Sequence, residues 1–281
     1  MCARPIKGVQ NPSCVGAAII AENICKRQGN FSMDIDRLAI DDKKITGIIG
    51  ANGSGKSTLA RILAGLLAPD SGSITCSNNM LAKQDITLIP QKPYMMRDTV
   101  LANLMYPLKL RKIAVRNSSR PPRKPRNAHE NVSESGSISV RLNEFPQKSI
   151  IDDFLQLAGL ENMKNTYAPS LSSGEAQKLA LIRAMIFKPK VIFVDETFSN
   201  MDMKSQLMFE NFILDGQKNS PIAWVIISHQ MATIKRLCNF VHFMDGGSVI
   251  ESGETQQIFT SPVSDILKSY LQLMGIGGVQ D

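Results

Sequence analysis

The sequence predicts an α/β fold built around a nucleotide site, and three features carry that prediction. The run Thr46-Gly47-Ile48-Ile49 leads straight into Gly50-Ala51-Asn52-Gly53-Ser54-Gly55-Lys56-Ser57-Thr58, and a helical repeat follows. A second apolar run, Val191-Ile192-Phe193-Val194, ends in the carboxylates Asp195 and Glu196. Ala223-Trp224-Val225-Ile226-Ile227 supplies another buried strand with a helical segment between the two, the pattern of a parallel sheet covered by helices.

The segment from Gly50 to Thr58 is a complete P-loop. Its glycines let consecutive N–H groups turn inward onto phosphate oxygens, and the helix behind adds its positive end. Lys56 is placed for the β- and γ-phosphates of a nucleoside triphosphate, and Ser57 offers a hydroxyl to the Mg2+ that bridges them. Open α/β sheets position ligands at the carboxyl ends of their strands. There Asp195 suits the metal shell, through water, and Glu196 suits a group that takes a proton from, or orients, the water attacking the γ-phosphate.

Along the chain, Val15 to Ala21 reads as a buried strand. Alternation in Phe31-Ser32-Met33-Asp34-Ile35-Asp36 puts Phe31, Met33 and Ile35 on one face, which predicts a half-buried strand of a short β-layer. Leu59, Ile62, Leu63, Leu66 and Leu67 recur at helical spacing until Pro69-Asp70-Ser71-Gly72 breaks the chain. Ile86-Thr87-Leu88-Ile89 is the next strand, followed by Pro90-Gln91, and Asp98 to Leu110 has helical character.

Residues 117–148 change texture, with prolines, serines, asparagines and charges dominating. Pro121-Pro122-Arg123-Lys124-Pro125-Arg126 cannot run as a regular helix, and too little apolar surface is present to offset the entropy of ordering, so a mobile basic insertion is expected. Helical patterning returns at Ile151, Phe154, Leu155 and Ala158, with Ser149 placed to cap its start. Leu171-Ser172-Ser173-Gly174-Glu175 then precedes Ala176, Leu179, Ala180 and Ile182. That segment reads equally as a capped helix start and as a second phosphate-binding surface. The expected organisation is an N-terminal extension (1–16), an α/β core (17–90 and 190–281), and a helical subdomain (91–189) that carries the insertion.

Composition narrows the function classes. A chain of 281 residues buries one good core. No apolar run approaches the ~20 residues that span a bilayer, and Val15 to Ala21 is too short for a secretory leader. Five scattered cysteines without a C-x-x-C pair argue against a disulfide framework or a zinc site and fit a reducing cytoplasm. The net charge of +7 is local, because Lys109, Arg111, Lys112, Arg116, Arg120, Arg123, Lys124 and Arg126 lie together with no acid between them.

The order of P-loop, Gln91, Leu171-Ser172-Ser173-Gly174-Glu175, Asp195-Glu196, Ser199-Asn200-Met201-Asp202 and His229 resembles the ATP-binding-cassette (ABC) transporter ATPases from about Ala17 onward. The resemblance implies a P-loop NTPase (RecA-like) core with an N-terminal antiparallel β-layer and an inserted helical subdomain. It implies hydrolysis of ATP with Mg2+, and a head-to-tail homodimer in which each ATP lies between one P-loop and the other copy's Ser172, Ser173, Gly174 and Glu175. Gln91 would touch the metal and sense a transmembrane partner, Asp202 would communicate across the dimer, and His229 would contact the γ-phosphate beside the catalytic Glu196.

A single cassette without membrane spans is similar to importer subunits. That implies a separate permease, an extracytoplasmic solute-binding protein, and a place on the cytoplasmic face of the inner or plasma membrane. Met33-Asp34-Ile35-Asp36-Arg37-Leu38, Pro90-Gln91-Lys92-Pro93-Tyr94 and Asn103 to Arg111 resemble the cassettes of tungstate-type oxyanion importers. Two alternatives stay open, a soluble ATPase acting on ribosomes or nucleic acid and an export or lipid-handling ATPase. Nucleic acid is disfavoured, because such machines usually carry two cassettes or a coiled coil and the basic run lacks aromatics for stacking. The chain departs from the family pattern at Ser173, where a second glycine is usual, and at Thr197-Phe198, where Pro-Thr is usual. Adenine stacking falls to Gln28 by alignment or to Phe31 as a substitute.

Overall fold

The computed structural model describes residues 17–76, 85–118, 148–186, 188–219 and 222–276. Along the chain come β1 (Ala17–Gln28), β2 (Phe31–Asp41), β3 (Ile45–Gly50), α1 (Lys56–Leu63) and β4 (Ser71–Cys76). β5 (Ile86–Ile89), α2 (Val100–Ser118), α3 (Lys148–Ala158) and α4 (Ser173–Met185) follow. Then come β6 (Val191–Asp195), α5 (Met203–Asn219), β7 (Ala223–Ile227), α6 (Met231–Leu237), β8 (Phe240–Asp245), β9 (Ser248–Glu254), α7 (Thr255–Thr260) and α8 (Asp265–Leu273).

The strands form two sheets. The larger has the order β5-β6-β7-β3-β8-β9, parallel from β5 to β8 with β9 antiparallel at the edge. β3, β6 and β7 are buried at every position, which explains why they read as unbroken apolar runs rather than alternating ones. One face packs on α1 and the smaller sheet, through Leu59, Ile62 and Leu63 against Ile48, Phe193 and Val225. Each of those α1 side chains contributes about 1.5–3 kcal/mol on burial. The other face packs on the helices, with Trp224, Ile226 and Phe243 meeting residues of α4, α5 and α6.

The smaller sheet is antiparallel with the order β2-β1-β4, so the expected β-layer is present. Its third strand starts at Ser71, inside the segment expected only to break the chain. Asp70 makes that possible. Its carboxylate accepts from Lys26 Nζ at 2.6 Å and from the Arg27 amide at 2.7 Å, and its own amide donates to Cys25 at 2.8 Å, which docks the chain onto β1.

The helical part is built from α2, α3 and α4. α2 continues to Ser118 and α3 begins at Lys148, so Ser149 lies inside its helix and not at the cap. The extension 1–16 and residues 119–147, which hold most of the expected insertion, lie outside the described residues. Among those described, no helix is long and apolar enough to cross a membrane.

Candidate nucleotide site

The P-loop joins the end of β3 to α1. Gly50 has φ +147°, and a Cβ there would collide with the Met244 carbonyl oxygen of β8, so only glycine lets the strand turn at that point. Lys56 is buried at the first turn of α1, its Nζ donating to the carbonyls of Gly50 (2.9 Å) and Ala51 (2.8 Å) and reaching Ser54 Oγ at 3.4 Å. Burial lowers its pKa, against the opposing charges of Glu196 and Asp195. A phosphate in the loop would replace those carbonyls with full negative charge.

A cleft of about 830 Å³ opens above the loop. Gly50, Ala51, Asn52, Gly53, Gly55, Lys56, Ser57 and Thr58 line it, together with Gln91, Asp195, Glu196 and His229. Ser54 stands behind it, buried, with its hydroxyl towards Lys56. Phe31 and Gln28 line the mouth, so both residues considered for the adenine face the cleft, and Phe31 lies against Gly55.

Asp195 ends β6 at 5% exposure. Burial raises its pKa, against a hydrogen bond from Ser57 and the charges of Arg61 and Lys56. One of its oxygens, Oδ1, has no partner among the described residues. Mg2+ takes oxygen ligands and keeps waters and phosphates in its shell, so a carboxylate with a free oxygen beside a hydroxyl fits it.

Glu196 follows in the left-handed region, φ 50°, a conformation that costs a non-glycine residue about 1–3 kcal/mol. Its amide donates to Ile227 at 2.9 Å, and its carbonyl accepts from Ser199 Oγ at 2.6 Å, which hold the turn. The twist aims its carboxylate into the cleft. His229 Nδ1 comes within 2.8 Å of Glu196 Oε2. His229 is half exposed, whereas the Glu196 side chain is largely buried.

Gln91 is held by α4, because Gln177 Nε2 donates to its carbonyl at 3.2 Å. Arg183, on the same helix, donates to Tyr94 O at 2.9 Å and to the fully buried Asn103 at 3.3 Å, so α4, α2 and the segment after β5 are tied together.

Ser172, Ser173, Gly174, Glu175 and Asp202 do not line the cleft. Ser172 caps α4, and Glu175 completes a capping box by accepting from Ser172 N at 2.8 Å and Ser172 Oγ at 2.7 Å. Both readings of that segment are therefore compatible with its geometry. A Cβ on Gly174 would come within 2.8 Å of Asn200 O, so glycine lets the turn after Glu196 approach α4. Asp202 accepts from Ser205 N (2.9 Å) and Ser205 Oγ (2.6 Å) at the start of α5 and pairs with Lys178 at 3.1 Å; these contacts hold its pKa well below the usual carboxylate range.

The remaining wall was not anticipated from sequence. Tyr270 and Leu273 of α8 and Met274 just after it line the cleft. Leu267, Tyr270 and Leu271 mark a helix with one buried face, but nothing in the sequence says what that face meets.

A mostly parallel sheet carrying a P-loop after β3, a carboxylate pair at the end of β6 two strands away and a helical insertion defines a nucleotide-hydrolysing cassette. The family model described as ABC transporter matches residues 34–199, and the chain belongs to that family, whose cassettes bind and hydrolyse ATP. It is 30% identical over 237 residues to the tungstate uptake system ATP-binding protein TupC of Peptoclostridium acidaminophilum, covering 83% of this chain and 97% of that protein. It is 28% identical over 270 residues to the methionine import ATP-binding protein MetN 3 of Bacillus cereus, covering 90% and 71%. An ATP-binding cassette solved as a post-hydrolysis dimer with ADP and Pi has the same fold, with a TM-score of 0.65, 21% identity and coverage of 84% and 98%.

Proposed function

We propose that this chain is the ATP-hydrolysing subunit of a solute importer whose cargo is an oxyanion of the tungstate type. The hydrolytic half of this reading is carried by one observation, the convergence of Lys56, the Ser57–Asp195 pair and the Glu196 carboxylate on one cleft.

ATP lies along the P-loop, where Lys56 exchanges backbone carbonyls for the β- and γ-phosphates, and Phe31 stacks on the base. Ser57, Asp195 and Gln91 would hold Mg2+, which supplies charge neutralisation at the phosphate oxygens when bound. Glu196 takes a proton from water as the water oxygen bonds to the γ-phosphorus and the bond to the bridging oxygen breaks. ADP departs with that electron pair, and His229 steadies the γ-phosphate.

The signature residues Ser172, Ser173, Gly174 and Glu175, with Asp202, act on the nucleotide of a second copy, which fits their position outside this chain's own cleft. A dimer of cassettes closing on ATP drives a separate permease from the cytoplasmic side, and a solute-binding protein delivers cargo outside. Tungstate is favoured by the near-complete coverage of the tungstate uptake relative and by the local resemblances around Gln91 and Leu108.

Glu196→Gln tests the hydrolytic half. ATP binding should persist, turnover should fall at least ~100-fold, and ATP-bound dimers should accumulate on size exclusion. Near-normal turnover would overturn it. Disrupting the gene and measuring cellular uptake of tungstate, molybdate, phosphate and methionine tests the cargo. Selective loss of tungstate is expected; unchanged oxyanion uptake rejects that assignment and leaves the ATPase standing.

A further inference from the structure

His229 stands between β7 and α6, with Nδ1 2.8 Å from Glu196 Oε2. α6 begins directly after it, with Gln230 at the cap, and runs for only seven residues. Ser228 Oγ accepts from the Gln230 amide at 3.0 Å, a bond that closes the loop around His229 without tying it to another element. The buried face of α6, Met231, Ile234 and Leu237, decides which side of the helix turns inward. Apolar burial has no direction, however, and a reacting group needs its place fixed to a fraction of an ångström. The directed ties of that first turn come from α5.

Gln206 supplies them. Its Nε2 donates to Thr233 Oγ1 at 2.7 Å and to Glu210 Oε1 at 2.8 Å, and lies 3.5 Å from Gln230 Oε1. Thr233 Oγ1 donates in turn to Gln230 Oε1 at 3.3 Å, so one amide gathers both the cap and the third residue of α6. Glu210 does not depend on that amide, because Arg236 Nε and Nη2 already hold its two oxygens at 2.8 and 2.9 Å. At its backbone Gln206 belongs to the other side. Its N–H donates to the Asp202 carbonyl at 2.9 Å, and the Asp202 carboxylate is itself held by Ser205 and by Lys178 of α4. The same residue is thus bonded to Asp202 through its main chain and to the helix behind His229 through its side chain.

Resting on the reading of Asp202 and His229 as parts of a dimeric ATP site, we propose that Gln206 is a positioning residue for ATP hydrolysis. Its side-chain amide fixes the first turn of α6, and through it His229, to the start of α5 beside Asp202. Seating Asp202 against the second copy then sets where His229 stands relative to Glu196. Gln206 does not line the cleft, so it acts on turnover and not on the grip on ATP.

Gln206→Met keeps the length of the side chain and removes the amide, and Glu210 retains both bonds from Arg236. The expected result is a fall in kcat of about tenfold with KM for ATP unchanged. Thr233→Val should reproduce that loss, the double variant should lose no more than either single one, and Thr233→Ser, which keeps the hydroxyl, should stay active. The chain has three histidines, His129, His229 and His242, so the ring signals of His229 can be assigned by NMR from their loss in His229→Gln. They should move in Gln206→Met while those of His242, on β8, stay in place. A glutamine that only braced α5 against α6 would lower Tm and leave kcat and the His229 signals alone. Unchanged kcat in Gln206→Met, losses that add in the double variant, or unmoved His229 signals overturn the proposal. Near-normal turnover in His229→Gln would remove the reading beneath, whereas normal turnover in Gln206→Met beside an impaired His229→Gln removes Gln206 alone.

Discussion

Asp195 shows most directly how a single residue trades stability for function. Its carboxylate is buried with one oxygen unmet, and burial raises its pKa. A carboxylate whose folded pKa lies above its unfolded value favours the folded state while protonated. The nucleotide-free protein therefore loses that stability as pH rises through the ordinary carboxylate range and on through the raised value. Asp195→Asn should raise the Tm of the nucleotide-free protein at neutral pH, by roughly 2–4 °C if the gain is about 1 kcal/mol. The difference should shrink below about pH 4, where both states are protonated. The same variant should lose most of the extra Tm that Mg2+ and ATP confer on the wild type, because its amide is a poorer metal ligand. Thermal scans across pH, with and without nucleotide, check both expectations; a variant less stable than wild type at neutral pH would contradict the first.

Among the elements, α8 depends on the least conspicuous contact. Glu251 is 5% exposed and satisfies two backbone amides ahead of the helix. Hydrogen bonds to charged groups are worth about 1.5–3 kcal/mol, so Glu251→Ala should cost about 3 kcal/mol and move the urea midpoint accordingly. A shift under about 1 kcal/mol would show that α8 is held by its apolar face alone. α4 shows a different economy. Its capping box, its glycine beside Asn200, and the bonds from Gln177 and Arg183 to the segment around Gln91 make it the strut between the two halves of the chain. The capping box was visible in the sequence as a Ser followed three residues later by Glu. The reason for Gly174 was not, since it lies in the approach of a turn 26 residues further along.

At the scale of the whole molecule, the described residues form a core on both faces of the large sheet, and the composition of 119–147 offers little apolar surface to add to it. Replacing 119–147 by a short Gly-Ser loop should leave folding and basal ATP hydrolysis intact, as judged by Tm and steady-state turnover. Loss of either would show that the segment packs on the body. Salt-sensitive DNA binding that disappears with the segment would instead support the nucleic-acid alternative.

The sequence by itself determined the class of fold and the nucleotide chemistry, because both rest on local signals. A P-loop needs its glycines, lysine and serine in one short span, and a doubly covered parallel strand is apolar from end to end, so Val191–Asp195 and Ala223–Ile227 could be read directly. Only the tertiary structure decided that α8 joins Gln91, Asp195, Glu196 and His229 in walling the cleft, and how Glu196 is aimed into it. Tyr270 reaches it because Glu251 and Phe243 fix α8 against β8 and β9, and Glu196 points into it because its backbone is held left-handed by Ile227 and Ser199. Such placements arise from contacts between residues far apart in the chain, and no local periodicity encodes them.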